Sequence, residues 1–425
     1  MDFGARRRKL GHVFLFVGAA LWSRAARADG PSRPDDVTDD RRVAYLFSFD
    51  GLLRPSMGAD NYTSLFRLAL WDKDALLRRW EQVPRVPSIV FGMTRLVEFA
   101  LLDVPLAISA QTYAHEIHGH GGRIREFGGA TSYVFMPPFP YSMKTSYYTD
   151  PIFSRTPSDD EQILITQGGL NLEGYQRRQV LMTAFEAGSL SHGDAVLYFG
   201  WALHLAGYGA LKGGDVTNWT SAMARKFGKN QQDLQRSYLI SASIMELLDP
   251  LFLYSTYAMF VRFLVFGERR ISTPGIAIRG VRFWLSSHLG PVPWGVEYQL
   301  DVLARTRLFA LAVTPRLGAG PGGSSGGLTL SARGFPIARD VRLSAELDLW
   351  LQPELMTFSE GTVTATLNPP PAPLLPGLGG HVEVTHGIGP MLAGLRITAK
   401  TTGLMGVSPI APALESAVRL GLRLQ

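Results

Sequence analysis

Two periodicities divide this chain. Up to about residue 270, apolar residues recur at helical spacing or run together in blocks; from about Gly275 onward they alternate with polar ones. Residues 60–85 place Leu65, Leu68, Leu70, Trp71, Leu76, Leu77 and Trp80 on an amphipathic pattern, which predicts a packed helix. The apolar block 96–110 contains Glu98 and Asp103, with Pro105 positioned to kink it, so it reads as a buried core helix or a membrane helix whose acids face inward. Blocks 195–211, interrupted by His204, and 238–266, holding Glu246, Asp249, Pro250 and Arg262, are long enough for membrane burial or a large helical core. The polar segment 212–236 between them fits a loop at a membrane surface.

In the second part Val341, Leu343, Ala345, Leu347, Leu349 and Leu351 alternate with Arg342, Ser344, Glu346, Asp348, Trp350 and Gln352, the signature of a strand with one apolar and one polar face. The last segment repeats the pattern with Leu414, Val418, Leu420, Leu422 and Leu424. Weaker alternation covers 298–313, 328–333, 363–367, 381–385 and 392–400, separated by turn-rich stretches at 318–327 and 369–380. About eight such strands fit an antiparallel meander or a barrel of outer-membrane type, with a periplasmic β-sandwich as the plainer alternative. The expected class is α+β: a helical, partly membrane-associated domain over 43–270, then a β-rich, barrel-like domain over 271–425.

The first 42 residues change the reading of charge. Arg6, Arg7, Arg8 and Lys9 precede an apolar run at 13–22 and a small-x-small ending at Ala26-Arg27-Ala28, which predicts a signal peptide over 1–28; a Pro- and Asp-rich linker follows over 29–42. The leader holds six basic residues and one acid, so the chain's 42 basic and 36 acidic residues become 36 and 35 beyond it. A near-neutral remainder excludes nucleic acid as the expected partner and leaves membrane lipid and a peptide or protein substrate. The chain has no cysteine, which excludes disulfides and thiolate metal ligands. Export to the cell envelope, in the periplasm or outer membrane, is the expected localisation.

Candidate chemistry concentrates in Gln111-Thr112-Tyr113-Ala114-His115-Glu116-Ile117-His118-Gly119-His120, with three of the nine histidines within six positions. Zinc takes imidazole and carboxylate ligands, and a helix offers two on one face. Three geometries are open. In a regular helix His115 and His118 lie about 60° apart, or Glu116 and His120 about 40° apart. With a π turn at Gly119, His115 and His120 align and Glu116 stands beside them. Beyond this stretch, Arg123 and Arg125 are candidates to steady a substrate anion, and the Pro- and aromatic-rich loop at 137–156 is a candidate binding edge.

These six residues, His-Glu-x-x-Gly-His, resemble the active helix of the zincin metallopeptidases, with one residue more than the membrane-associated form carrying Gly before its second His. The resemblance implies zinc on His115 and His120, Glu116 as the general base that activates water against a peptide carbonyl, and a third ligand from a second helix. Glu173, among Gly168, Gly169 and Gly174, fits the gluzincin arrangement. Asp249, in Leu247-Leu248-Asp249-Pro250, resembles the aspartate element of site-2 type intramembrane proteases. His118 is an alternative ligand. The expected function is a zinc metallopeptidase of the cell envelope; the competing expectation is an outer-membrane β-protein whose metal is structural or transport-related, without catalysis.

Overall fold

The computed structural model describes residues 44–49, 54–81, 88–138, 140–142, 147–208, 210, 213–306, 308–355 and 372–423. The expected leader and linker, and the strand expected over 363–367, lie outside them. The chain is α+β, as its two periods predict: helices occupy the first part and a ten-stranded antiparallel sheet the second.

The helices are α1 (Pro55–Glu81), α2 (Ser88–Glu98), α3 (Val104–Tyr113), α4 (Gly121–Glu126), α5 (Asp159–Ala187), α6 (His192–Tyr208), α7 (Asp215–Phe227), α8 (Gln231–Leu248) and α9 (Pro250–Tyr257). π turns at Phe99–Asp103, Ala114–His120 and Ala258–Phe263 join α2 to α3, join α3 to α4 and extend α9. The first π turn precedes Pro105, whose ring cannot continue a regular hydrogen-bond ladder. The two acids of this apolar block are buried and paired: Lys73 bridges Glu98 and Asp103, and Asp103 Oδ2 also meets His192 Nε2 at 2.8 Å.

Helix α5 is the axis of the structure. Ser158 and Glu161 form a reciprocal capping box at its start, and Gly188, at φ 72°, ends it in the left-handed region that glycine enters without strain. It is buried along most of its 29 residues and packs against the second π turn, α1, α6, α7 and the sheet. Trp201, Tyr198, Phe185 and Leu181 centre the apolar core between α5 and α6.

The large sheet runs β1-β14-β13-β12-β11-β10-β9-β8-β7-β6, all pairs antiparallel. Its members are β1 (Ala44–Phe49), β6 (Ile276–Ile278), β7 (Val281–Val292), β8 (Gly295–Arg305), β9 (Ala310–Gly320), β10 (Gly323–Ala338), β11 (Val341–Pro353), β12 (Leu374–Ile388), β13 (Met391–Lys400) and β14 (Ala413–Arg423); two short antiparallel pairs, β2 (Ala130–Val134) with β3 (Tyr148–Ile152) and β4 (Ser189–Ser191) with β5 (Arg270–Ser272), stand apart from it. The strand expected over 298–313 is divided between β8 and β9, and the turn-rich stretch 318–327 is mostly strand, because glycines pair in the β9–β10 ladder. Strand β1 lies in the part read as helical and pairs with β14, Ser48 opposite Arg419.

An antiparallel meander or a barrel was expected of the second half, and the described sheet is antiparallel and open. Among the described residues no ladder links β1 to β6. The end strands are short, six and three residues, and helices pack there instead, α1 on β1 and α8 on β7.

The polarity of this sheet is reversed from that of a soluble sheet, whose apolar face is the covered one. Asp301, Arg316, Asp348, Glu383 and Arg419 are buried, while Leu349, Val382, Leu395 and Leu420 are exposed. Charges on the covered face are matched: Arg178 of α5 reaches Glu346 at 2.8 Å, and Arg316 meets Asp348 at 2.6 Å.

Candidate metal centre

The second π turn puts the histidines in place. With hydrogen bonds spanning five residues, such as Gly121 N–H to the Glu116 carbonyl, residues five apart share a face. His115 and His120 therefore converge, their Nε2 atoms 3.1 Å apart. Gly119 permits the close approach of α5: a β-carbon there would lie 2.6 Å from Gly169 Cα. One on Gly169 would overlap the His115 ring. The glycines at 119, 168 and 169 are thus a spacing device, and the His115 ring lies against a stretch of α5 without side chains.

Each imidazole is fixed by its other nitrogen. His115 Nδ1–H donates to Glu173 Oε1 at 2.6 Å, and His120 Nδ1–H donates to the Ile165 carbonyl at 2.7 Å; both acceptors lie on α5. Asp215, the first residue of α7, closes the Nε2 side, its Oδ2 2.7 Å from His115 and 3.2 Å from His120. His204 of α6 stands behind Glu173, with Nδ1 at 2.7 and 2.8 Å from the two carboxylate oxygens. The side chains of Asp215 and His204 are 18% and 34% exposed against 3% for His115, so the centre opens to solvent on their side.

The electrostatics follow from packing two acids against two buried imidazoles. Burial alone would lower the His115 pKa, but the Glu173 and Asp215 carboxylates hold it well above its usual value; Asp215 likewise raises His120 against burial. Burial pushes Glu173 up, and the charges and hydrogen bonds of His204 and His115 overcome this and hold it at about 2. Asp215 is driven far below the usual carboxylate range, with burial opposed chiefly by His120 and His115.

Among the described residues two overlapping groups have ligand atoms close enough to hold an ion: His115, His120 and Asp215, and His115, Glu173 and His204. Tetrahedral zinc with nitrogen and oxygen ligands needs donor atoms about 3.3 Å apart. The Nε2, Nε2 and Oδ2 triangle, with edges of 3.1, 2.7 and 3.2 Å, is within a few tenths of an ångström of that on two edges and must open on the third. Exchange of the Nε2 proton for a divalent ion would preserve both Nδ1–H bonds, the arrangement in which a carboxylate or carbonyl orients a ligating imidazole.

The remaining sequence candidates are placed as follows. Glu116 adjoins the pair closely enough for its charge to raise His120, and its Oε2 accepts from Thr149 Oγ1 at 2.7 Å. Thr149 belongs to β3 (Tyr148–Ile152), which pairs with β2 (Ala130–Val134) in a hairpin at the edge of the site. His118 turns toward α1, Nδ1 3.2 Å from the Arg54 carbonyl and its ring edge-on to Tyr62. Glu173 meets Nδ1 of His115, not the face shared with His120. Asp249 is remote: it caps α9 and accepts from Arg177, Tyr198 and Ser286. Arg123 binds Glu126 and the Ser408 carbonyl, while Arg125 binds Tyr133 and the Ile117 carbonyl.

Asp215 and His204 were not among the sequence candidates. An acid opening a helix is common for dipole reasons alone, and Asp215 lies 100 residues from His115. The one available signal for His204 was its position as the polar break in an apolar block. No protein-family model, curated protein or solved structure matches this chain.

Proposed function

We propose that this chain is a zinc-dependent metallopeptidase of the cell envelope, with His115, His120 and Asp215 as ligands and Glu116 as general base. One observation carries the reading: two imidazoles held by their Nδ1–H groups present paired Nε2 atoms to a partly exposed carboxylate. Zinc on such a set supplies Lewis acidity, polarising a carbonyl and acidifying water. Glu116 takes the proton from the attacking water, and the Thr149 hydroxyl orients its carboxylate. Glu173, backed by His204, fixes the His115 ring through Nδ1 and would leave its Nε2 to hold the ion. The second ligand group is less favoured, since it uses His115 through Nδ1 and gives His120 no part.

Metal analysis of the purified protein and hydrolysis of labelled casein test this. Zinc is expected to be stoichiometric in the wild type, lost in His120→Ala and Asp215→Ala, and retained in Glu116→Gln. The last variant is expected to cleave casein at least about 100-fold more slowly. Zinc retained by both ligand variants sinks the proposed centre. Zinc bound by a wild type that leaves casein intact removes the peptidase and leaves a metal site without catalysis.

A further inference from the structure

We infer that the outer surface of this molecule is a lipid-contact surface, and that the open sheet is completed by helices into one apolar ring around a polar interior. The inference is independent of the metal.

The first observation is the reversed sheet. Leu349, Val382 and Ile397, on three successive strands, point outward and are 40 to 50% exposed, while their strand neighbours Asp348 and Glu383 are buried. The buried face carries the charges. A cavity of about 140 Å³ lies between α5 and the strands, lined by Arg178, Glu297, Arg316 and Glu346. An aqueous environment gives no reason for aliphatic residues to cover the outside of every strand from β7 to β14 while ion pairs fill the inside. A bilayer does, because membrane-crossing strands alternate apolar outward and polar inward. Strands β7 to β14 have 10 to 16 residues each, against about 9–11 needed for a tilted crossing.

The second observation is what fills the gap between the β6–β7 end of the sheet and β1. Helix α8 packs on β7 and α9 follows it. The third π turn and the residues just after it meet α2 and the first π turn: Arg95 of α2 donates to the Leu264 and Val265 carbonyls, and Phe99 of the first π turn packs edge-on to Phe260. Helix α3, continuing α2, packs on α1, and α1 on β1, so the ring returns to the sheet. Each section of this helical arc also exposes apolar side chains, Ile244 on α8, Met93 on α2 and Leu65 on α1 among them. No single described helix is long and apolar enough to cross a membrane, although α8 with α9 and its π turn passes by composition as a pair bent by 63°. Strands are therefore the crossing elements, and the helices seal their open side.

Acyl chains are the occupant this arrangement selects. A second copy of the chain would bury one side, whereas the apolar surface runs around the whole ring. Backbone edges within lipid must also be satisfied, and at β1 the Asn61 side chain of α1 does this for Ser48, accepting from its N–H at 2.7 Å and donating to its carbonyl at 3.0 Å.

The absence of cysteine makes a direct test available. Nitroxide labels are placed on single cysteines at Leu349, Val382 and Leu395, with Arg339 in the β10–β11 turn as the aqueous control. The full chain is reconstituted in phosphatidylcholine–phosphatidylglycerol vesicles. Collision with oxygen is expected to exceed collision with a water-soluble nickel chelate at the three outward positions, and the order to reverse at residue 339. Preferential nickel access at the outward positions would overturn the inference. Shielding from both reagents would also overturn it and identify a protein interface, and so would recovery of the folded chain as a detergent-free monomer in buffer.

Discussion

His115 carries more of the candidate site than any other residue, because both of its ring nitrogens are committed. In the metal-free protein it is an imidazolium donating to Glu173 and Asp215, so zinc must displace its Nε2 proton, and zinc affinity should rise with pH. The same contacts set the stability profile. Glu173 falls from 4.5 in the unfolded chain to about 2 in the fold, so its contribution is complete above pH 4.5 and is lost as pH falls toward 2. His115 has the opposite sign: its raised pKa stabilises fully below 6.5, and the contribution disappears as pH rises through its folded value. Thermal unfolding of the metal-free protein should therefore show Tm falling below pH 4.5, with a shallower fall in Glu173→Gln. Equal acid limbs in the two proteins would contradict the assignment of that carboxylate.

At the level of elements, the π turn converts an unusual spacing into an ordinary pairing. Deleting Gly119 leaves His115-Glu116-Ile117-His118-His120, with the two ligands four apart, and four α-helical residues turn through about 400°, nearly matching five π residues. The expected outcome is a chain that still binds stoichiometric zinc. Gly119→Ala, by contrast, drives a β-carbon into Gly169 and should cost about 1–3 kcal/mol, read from denaturant unfolding. Loss of zinc on deletion would show that the wide turn itself shapes the site.

Elements were also where the sequence was most legible. Strict alternation at 341–352 marked β11, and the crowding of imidazoles with a glycine at 119 marked the distorted turn. What escaped depends on long-range contact. Asp215 becomes a site residue only when α7 is laid against α5, and nothing local to β1 announces a partner at β14. Asp249, conspicuous beside its proline, caps a helix and neutralises Arg177 instead. An acid in an apolar block has the same local pattern whether it will meet a metal or a guanidinium.

For the whole molecule, the decisive arrangement is one long helix enclosed by a sheet that presents charge to it. Arg178 links α5 to β8, β10 and β11 at once, through Asp301, Ser331 and Glu346. Removing residues 413–425 takes β14 away, freeing one edge of β13 and depriving β1 of its ladder. Such a chain is expected to lose its cooperative thermal transition and to be degraded by trypsin under conditions that leave the full chain intact.

The β1–β14 pairing has a consequence in time. The segment described first in the chain leaves the ribosome long before the one that seals it, so hairpins β7 to β13 can form while the seam is still missing. A molecule zipped in this order spends its youth with an unfinished edge, the interval in which pairing with a neighbouring chain is the hazard.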